Sequence, residues 1–438
     1  MNRRKRVWFE ETNSKLDPGL VEQLRTMRKN AYHASGTQTA EIPIIIKCKK
    51  DSGEDEKEAL FQKCNRDAHN HLDKEIRIIN SVKGILTAEK IKEIKDDEVI
   101  EKIYYDRPVS AYLDITDEQI GSRRIRERHH LSGKDVTIAV LDTGIYPHED
   151  LTTPSNRIIA FHDLINGEAE PYDDNGHGTH CAGDAAGNGA MSSGAYLGPA
   201  PEANIVGVKV LDGAGGGSLS TIVEGIEWCM DHQAEYDIKI LSLSLGADAY
   251  ESFREDPLSM AAQAAWHSGM IVCAAAGNSG PGPSTIGTPA INPFIITVGA
   301  VDDQDTVERS DDEIAEYSSR GPTIDHFVKP DIYAPGTDII SLLAPNSAVE
   351  TELAEQLIDE HYIQMTGTSM ATPICAGVIA LMLEANPNLS PNDVKSIFQM
   401  TGEPAFGTQW GYIEAESAID NAISYAENLQ KSASANGW

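Results

Sequence analysis

The stretch PYDDNGHGTHCAG, residues 171–183, holds side chains whose types and spacing could do chemistry. His177, His180 and Cys181 stand close enough in sequence to share one face of a helix. Imidazole and thiolate groups suit zinc, so one interpretation is a metal site. A second is a general base that serves a nucleophile elsewhere in the chain. A third is a glycine-rich helix start that binds nothing.

Three further segments offer partners for such a base. Asp142 ends the apolar run DVTIAVLD, and a buried carboxylate at a strand end needs a donor such as an imidazole N–H. Ser369 opens a long apolar helix in GTSMATP, where backbone N–H groups could stabilise an oxyanion. Asn278 follows the apolar run CAAAG and could supply a second donor. Each also has a purely structural interpretation: an acidic turn, a helix cap and an Asn-containing turn.

The elements that must position these residues follow from the pattern after about residue 130. Short β-branched runs alternate there with amphipathic helical segments such as SLSTIVEGIEWCMDHQ and DPLSMAAQAAWHSG. The runs are DVTIAVLD, NIVGVKVL, IKILSLSL, GMIVCAAA and FIITVGAV. This alternation predicts an α/β fold, a parallel sheet with helices on both faces in three layers. Reactive groups gather at the carboxyl ends of the strands of such sheets.

A small α+β unit is predicted before that sheet, over residues 41–106. The runs IPIIIKCKK, EIRIINSV and EVIEKIYYD have the pattern of strands. DEKEALFQKC predicts a helix between the first two, and Thr87 is a plausible N-cap for a second. Residues 1–40 are interpreted as a peripheral basic arm and linker with one helix from Pro18 to Asn30.

Charge is divided unevenly along the chain. Residues 1–110 contain 22 Lys and Arg against 20 Asp and Glu, whereas residues 111–438 contain 14 against 48, a net charge of −34. This shift places a domain boundary near residue 110. The domains are therefore predicted as 1–40, 41–110 and 111–438. So acidic a large domain argues against nucleic-acid binding.

Other features limit the class of protein. The chain contains no run of 18 apolar residues, so no membrane partner is expected. The basic start MNRRKRVWFEE has no apolar segment behind it, which predicts a cytoplasmic protein without a signal peptide. The six cysteines are widely spread and mostly lie in apolar runs, which favours buried free thiols over disulfides.

Eight segments between about residues 130 and 420 together resemble the subtilisin family of serine proteases. They are AVLDTGIYPHEDL, DNGHGTHCAG, GVKVL, LSLSLG, AAAGNSGP, YSSRGP, KPDIYAPG and GTSMATP, and they occur in the order of the family. Within the family, the long N-terminal segment and PYDDNGHGTHCAGD are similar to the AprX-type intracellular branch.

The resemblance implies a serine endopeptidase that acts on proteins and peptides through an acyl-enzyme. Ser369 would be the nucleophile, His177 the general base and Asp142 the carboxylate that orients it. Asn278 and the backbone N–H of Ser369 would bind the oxyanion. The glycines beside His177 would let substrate and serine approach it closely. His180 and Cys181 would then be interior helix residues.

The resemblance also implies how substrate and the N-terminal segment bind. Ser244, Leu245 and Gly246 would lie along an extended peptide, with room at Gly246 for the P1 side chain. Residues 41–106 resemble the subtilisin propeptide, which assists folding and occupies the substrate cleft. The following stretch DRPVSAYLD would thread the active site, with self-cleavage near residues 105–115 and inhibition by the freed segment.

No cofactor is required for this chemistry, but a structural calcium ion is an open possibility. Asp150 matches a calcium ligand of the family, and the loop GNGAMSSGAY could add carbonyl oxygens. Because that loop is longer than in secreted subtilisins, its ligands cannot be assigned. Two alternatives for function remain: a catalytically silent peptide-binding protein, and a zinc hydrolase built on His177, His180 and Cys181.

Overall fold

The computed structural model describes residues 8–10, 15–31, 41–50, 52–65, 69–106, 108–111, 120–304, 309–403 and 411–435. The chain forms two compact units. The first unit comprises Met1–Pro108 together with Ser218–Glu227, and the second comprises Val109–Gly217 together with Trp228–Trp438.

The first unit is a small α+β structure. Its elements are α1 (Pro18–Ala31), β1 (Glu41–Cys48), α2 (Glu54–Cys64), β2 (His71–Ile76), β3 (Ser81–Thr87), α3 (Ala88–Ile94) and β4 (Ile100–Tyr105). The strands form an antiparallel sheet in the order β2-β3-β1-β4. Thr87 caps α3 as predicted, because its hydroxyl accepts the N–H of Lys90 at 3.2 Å.

Two features of this unit differ from the sequence-based prediction. The run EIRIINSV is not one strand: the chain turns at Arg77–Ile79 and Asn80 adopts a left-handed φ of 51°, which makes β2 and β3 a hairpin. Residues 1–40 are not only a peripheral arm, because Leu20 and Leu24 of α1 lie in the same hydrophobic core as β1.

The remaining elements begin at Pro108. They are β5 (Pro108–Ala111), α4 (Ser122–His129), β6 (Thr137–Asp142), α5 (Glu149–Thr152), β7 (Ile158–Asp163), α6 (His177–Ala186), β8 (Asn204–Lys209), β9 (Gly216–Ser218), α7 (Leu219–Asp231), α8 (Gln233–Tyr236), β10 (Ile238–Leu243), β11 (Leu245–Gly246), α9 (Pro257–His267), β12 (Ile271–Ala275), β13 (Ile296–Asp302), β14 (Glu313–Ile314), β15 (Ile332–Pro335), β16 (Ile339–Leu342), α10 (Ala348–Glu352), β17 (Tyr362–Met365), α11 (Thr368–Ala385), α12 (Pro391–Thr401) and α13 (Ala415–Ala435).

An eight-stranded sheet forms the centre of the second unit. Its order is β14-β13-β12-β10-β6-β8-β7, and β15 pairs with β13. Every pairing is parallel except that of β14 with β13, which confirms the predicted α/β class. All five predicted strands are present. The edge strand β7 was not predicted: its apolar run IIAF is only four residues long, and most of its side chains are partly exposed.

One prediction about apolar groups is confirmed. All six cysteines are buried free thiols. Among the described helices, α11 alone has the length and hydropathy of a membrane span, and 89% of that window is buried within the protein. This burial identifies α11 as a core helix.

A buried ammonium group ties α12 to the start of β13. The Nζ of Lys395 donates to the carbonyl oxygens of Pro293, Phe294 and Ile295 at 2.8, 3.2 and 2.7 Å. It also forms an ion pair with Asp331 at 3.0 Å, and only 12% of the lysine side chain is exposed. One charged group therefore satisfies four acceptors.

Replacing this lysine should destabilise the second unit. We expect Lys395→Met to lower the free energy of unfolding by about 2–4 kcal/mol, because Asp331 and the carbonyl groups lose a charged donor. The exposed pair Lys239–Asp237, at 2.7 Å, supplies the control, and Lys239→Met should cost no more than about 1 kcal/mol. Urea unfolding measures both variants, and equal losses would contradict this interpretation.

Candidate active site

The site is organised by a hydrogen bond between Asp142 and His177. Asp142 is the last residue of β6 and His177 is the first residue of α6, and both side chains are fully buried. Asp142 Oδ1 lies 2.6 Å from His177 Nδ1 and also accepts the N–H of Thr143 at 2.7 Å. This contact assigns the Nδ1 proton to the hydrogen bond with the carboxylate, so Nε2 is the nitrogen that can accept a proton.

The same contact sets the basicity of the imidazole. Burial by itself would lower the pKa of His177, but the carboxylate of Asp142 holds it well above the ordinary histidine value. Cys181 contributes no charge near neutral pH, because burial raises the pKa of its thiol to about 12. The site therefore combines a strong base with a neutral thiol.

Asp173 positions the backbone on which His177 stands. Its carboxylate accepts the N–H of Gly176 at 2.9 Å, and both the N–H and the hydroxyl of Thr179 at 2.9 and 2.7 Å. The hydroxyl of Thr143 donates to the same carboxylate at 2.9 Å, which joins the end of β6 to the start of α6. This role of Asp173 was missed, although an Asp before Asn-Gly at a helix start is a recognisable capping signal.

Gly178 allows the helix to approach the strand end. A Cβ atom at this position would lie 2.2 Å from the carbonyl oxygen of Gly144 and 3.0 Å from Asp142 Cβ. The nearest atoms therefore belong to the backbone around Asp142. Glycine at position 178 is therefore required for the close approach of α6 to β6.

Ser369 lies in the first turn of α11. Its hydroxyl donates to the carbonyl of Ser244 at 3.1 Å, and the Ser244 hydroxyl donates to the carbonyl of Ser369 at 2.6 Å. Cys181 Sγ is 3.7 Å from the Ser369 carbonyl oxygen, and 3.8 and 3.9 Å from the two ring nitrogens of His177. Cys181 therefore contacts both the imidazole of His177 and the backbone of Ser369, and all three residues are buried.

Asn278 is held by Thr368, the residue before the serine. Its Oδ1 accepts both the N–H and the hydroxyl of Thr368 at 3.0 Å. These bonds identify the oxygen end of the amide, so the Nδ2 donor end points away from Thr368. Thr368 also accepts the N–H of Gly277 at 3.2 Å, a positioning role that the sequence did not reveal.

The predicted substrate strand pairs with an extended segment of the same chain. Leu245 lies opposite Ala111, and Gly246 lies opposite Ser110, in antiparallel register. The three-stranded sheet has the order β11-β5-β9. This edge can therefore hold an extended peptide by backbone hydrogen bonds.

The predicted zinc ligands are not brought together. His180 is buried, with Nδ1 3.1 Å from Asp184 and Nε2 3.3 Å from the carbonyl oxygen of Ile363. His180 and Cys181 are interior residues, as the resemblance implied. Ligand atoms of Asp142, His177 and Cys181 do lie within 4.8 Å of one another. However, His177 Nδ1 is bonded to the carboxylate and the sulfur is a neutral thiol, a poor fit to a zinc ion.

Asp150, the expected calcium ligand, is surrounded by donors. Its carboxylate accepts the N–H groups of Gly189 and Met191 at 3.0 and 2.9 Å, and the hydroxyl of Tyr362 at 2.8 Å. Calcium requires oxygen ligands, whereas the loop 187–196 turns N–H groups towards this carboxylate. The residues at Asp150 therefore do not fit a calcium ion.

Comparison with known proteins agrees with this arrangement. The sequence model of the Subtilase family matches residues 133–427. Serine protease AprX of Bacillus subtilis (strain 168) is 51% identical over 306 residues, which cover 68% of this chain and 69% of that protein. The thermostable alkaline protease of Halalkalibacterium halodurans is 31% identical over 343 residues, which cover 78% of this chain and 80% of that protein.

A solved structure supports the fold. Fervidolysin from Fervidobacterium pennivorans, a keratinolytic enzyme related to subtilisin, superposes with a TM-score of 0.69 at 20% identity. The alignment covers 94% of this chain, which spans 64% of the fervidolysin chain. The chain therefore belongs to the subtilase family of serine endopeptidases and resembles its AprX-type members.

Proposed function

We propose that Ser369, His177 and Asp142 form the catalytic triad with which this serine endopeptidase hydrolyses peptide bonds. The observation that carries the proposal is the buried 2.6 Å contact between Asp142 and His177. Cys181 Sγ, 3.8 Å from His177 Nδ1, is also 3.7 Å from the carbonyl oxygen of Ser369 in the first turn of α11. A carboxylate, an imidazole and a hydroxyl arranged in this way activate a nucleophile that is otherwise weak.

The mechanism follows from the orientation of the imidazole. Ser369 Oγ attacks the substrate carbonyl carbon while Nε2 of His177 takes the hydroxyl proton, and His177 then gives that proton to the leaving amine. A water molecule, deprotonated by His177, hydrolyses the acyl-enzyme. Asp142 holds the tautomer and stabilises the imidazolium. The Ser369 hydroxyl has to turn from the carbonyl of Ser244 towards His177 before attack.

Two donors are proposed to stabilise the oxyanion. One is the Nδ2 group of Asn278, whose opposite end is fixed by Thr368. The other is the backbone N–H of Ser369, which lies in the first helical turn and has no acceptor within the helix. The positive end of the α11 dipole further stabilises the negative charge of the oxyanion that these two donors bind.

The N-terminal segment is proposed as an intramolecular inhibitor. Within the first unit, the carboxylate of Asp106 accepts the N–H of Ser220 at 2.9 Å as well as its hydroxyl, and thereby caps α7. Lys83 forms an ion pair with Glu224 at 2.6 Å on the same helix. Ser110 and Ala111 of β5 then pair with the proposed substrate strand β11. These contacts support a propeptide role, with residues 108–111 bound in the manner of a product.

The alternative functions make different inhibition predictions. A zinc hydrolase would lose activity with a chelator and resist a serine-directed phosphonate, whereas a silent peptide-binding protein would react with neither. No contact in the described residues favours either alternative over the triad.

Substitutions at the site should separate the proposed roles. Ser369→Ala, His177→Ala and Asp142→Ala are each expected to lower kcat by about 10⁴-fold or more, the range known for the triad of subtilisin itself. Asn278→Ala should lower kcat by about 10²–10³-fold, the loss known for one oxyanion donor of subtilisin. Turnover of a chromogenic peptide measures these effects, and wild-type activity in purified Ser369→Ala would disprove the mechanism.

The buried thiol should make the enzyme sensitive to mercurials. Because Cys181 Sγ lies within 3.9 Å of both ring nitrogens of His177, a metal on the sulfur would displace the imidazole. We expect partial inhibition of the wild type and resistance in Cys181→Val. Cys229→Val is the matched control, since Cys229 is equally buried. If Cys181→Val stays sensitive, a different cysteine is responsible.

Self-processing should occur close to the strand that pairs with β11. We expect cleavage within residues 105–115, the range around the paired residues Ser110 and Ala111, and none in Ser369→Ala. Residues 112–119 lie outside the described part of the chain. N-terminal sequencing and mass spectrometry of both proteins locate the cut. Processing in purified Ser369→Ala, or full activity of an uncut chain, would count against the inhibitor proposal.

A further inference from the structure

Two buried carboxylates lie next to the paired ends of β13 and β14. Val301 pairs with Ile314 and Asp302 pairs with Glu313 in antiparallel register. Asp303 directly follows β13 and Asp312 directly precedes β14, so both adjoin the last pair of this register. They are only 3% and 7% exposed.

The carboxylate of Asp312 lacks the partner that such burial requires. Both of its oxygens are sealed from solvent, and neither has a hydrogen-bond partner among the residues that the structure describes. A buried ionised carboxylate without compensation is strongly unfavourable. The charge of the neighbouring Asp303 adds to that penalty.

The nearby cation does not neutralise this charge by direct contact. Arg309 is close enough to lower the pKa of Asp312, but its guanidinium donates to Glu403 at 2.9 Å and to the carbonyl of Ile413 at 3.2 Å. The pKa of Asp312 is nevertheless raised to about 6. Burial is the largest cause and the charge of Asp303 the next, and together they outweigh the effect of Arg309. Asp311 adds further negative charge.

A proton satisfies this arrangement less well than a metal ion. Protonation of Asp312 removes one charge but does not engage both oxygens of this carboxylate, neither of which has a hydrogen-bond partner in the described residues. A divalent cation engages both oxygens of one carboxylate and neutralises the neighbouring one at the same time. Hard oxygen donors without sulfur or imidazole suit Ca²⁺, whose flexible coordination accepts a bidentate carboxylate.

We propose that the β13–β14 hairpin binds a calcium ion through the carboxylates of Asp303 and Asp312. This site is separate from Asp150, whose carboxylate is occupied by N–H and hydroxyl donors. The ion ties the edge strand β14 to β13, which pairs in turn with β12 and β15. It therefore stabilises the sheet edge and takes no part in the proposed chemistry.

Calcium binding is tested on the full chain carrying Ser369→Ala, so that self-digestion does not interfere. After removal of metal with EDTA, calorimetric titration with Ca²⁺ should show a site that Asp312→Asn and Asp303→Asn each weaken by at least about tenfold. The melting temperature should rise by roughly 5 °C at about 100 times the Kd, and this rise should disappear in both variants.

Asp302→Asn is the matched control. It removes the same charge one residue away, where Asp302 Oδ1 accepts the N–H of Gln304 at 3.1 Å. This variant should keep the calcium response. A parent protein whose melting temperature is the same in EDTA and in Ca²⁺ would overturn the proposal. A calcium-induced rise in melting temperature that persists in both Asp312→Asn and Asp303→Asn would also overturn the proposal.

Terbium luminescence gives a second measurement if one variant fails to fold. Tyr412 is buried, and its pKa is raised by burial and then by the charge of Asp312, which places the phenol near the site. Tb³⁺ should therefore show tyrosine-sensitised emission that Ca²⁺ displaces. Tyr412→Phe should lower the emission and keep the calcium-induced rise in melting temperature. Emission that is unchanged in Asp303→Asn would assign the ion to another site and overturn the proposal.

Discussion

The rest of the site depends on the buried hydrogen bond between Asp142 and His177. A fully buried carboxylate needs donors to compensate it, and Asp142 Oδ1 contacts the imidazole of His177 and accepts the N–H of Thr143. In return, the carboxylate raises the pKa of His177 and fixes its tautomer. The stability of the strand end and the basicity of the imidazole therefore arise from the same contact.

The parallel sheet makes that contact possible. Asp142 is the last residue of β6, Ser244 follows β10 and Asn278 follows β12. Because these three parallel strands are neighbours, the three residues lie at the same carboxyl edge of the sheet. Helices α6 and α11 then place His177 and Ser369 in their first turns, where backbone N–H groups are unpaired. The close approach of α6 to β6 requires glycine at position 178.

Much of this could be predicted from the sequence because the signals are local. Apolar runs that end in Asp142 or lead to Asn278, and a serine at the start of an apolar helix, are each visible in a window of ten residues. Two kinds of feature were not visible. The turn between β2 and β3 uses a left-handed Asn80 inside an otherwise strand-like run, and the N–H groups around Asp150 depend on how a distant loop folds back.

The central claim is that Ser369 is a nucleophile activated by His177, and a fluorophosphonate probe tests it most directly. Covalent labelling depends on an activated serine hydroxyl and needs no knowledge of the natural substrate. Intact-protein mass spectrometry should show one equivalent of probe on the wild type, none on Ser369→Ala, and labelling slowed by orders of magnitude in His177→Ala. Stoichiometric labelling of Ser369→Ala, or an unchanged labelling rate in His177→Ala, would contradict the account.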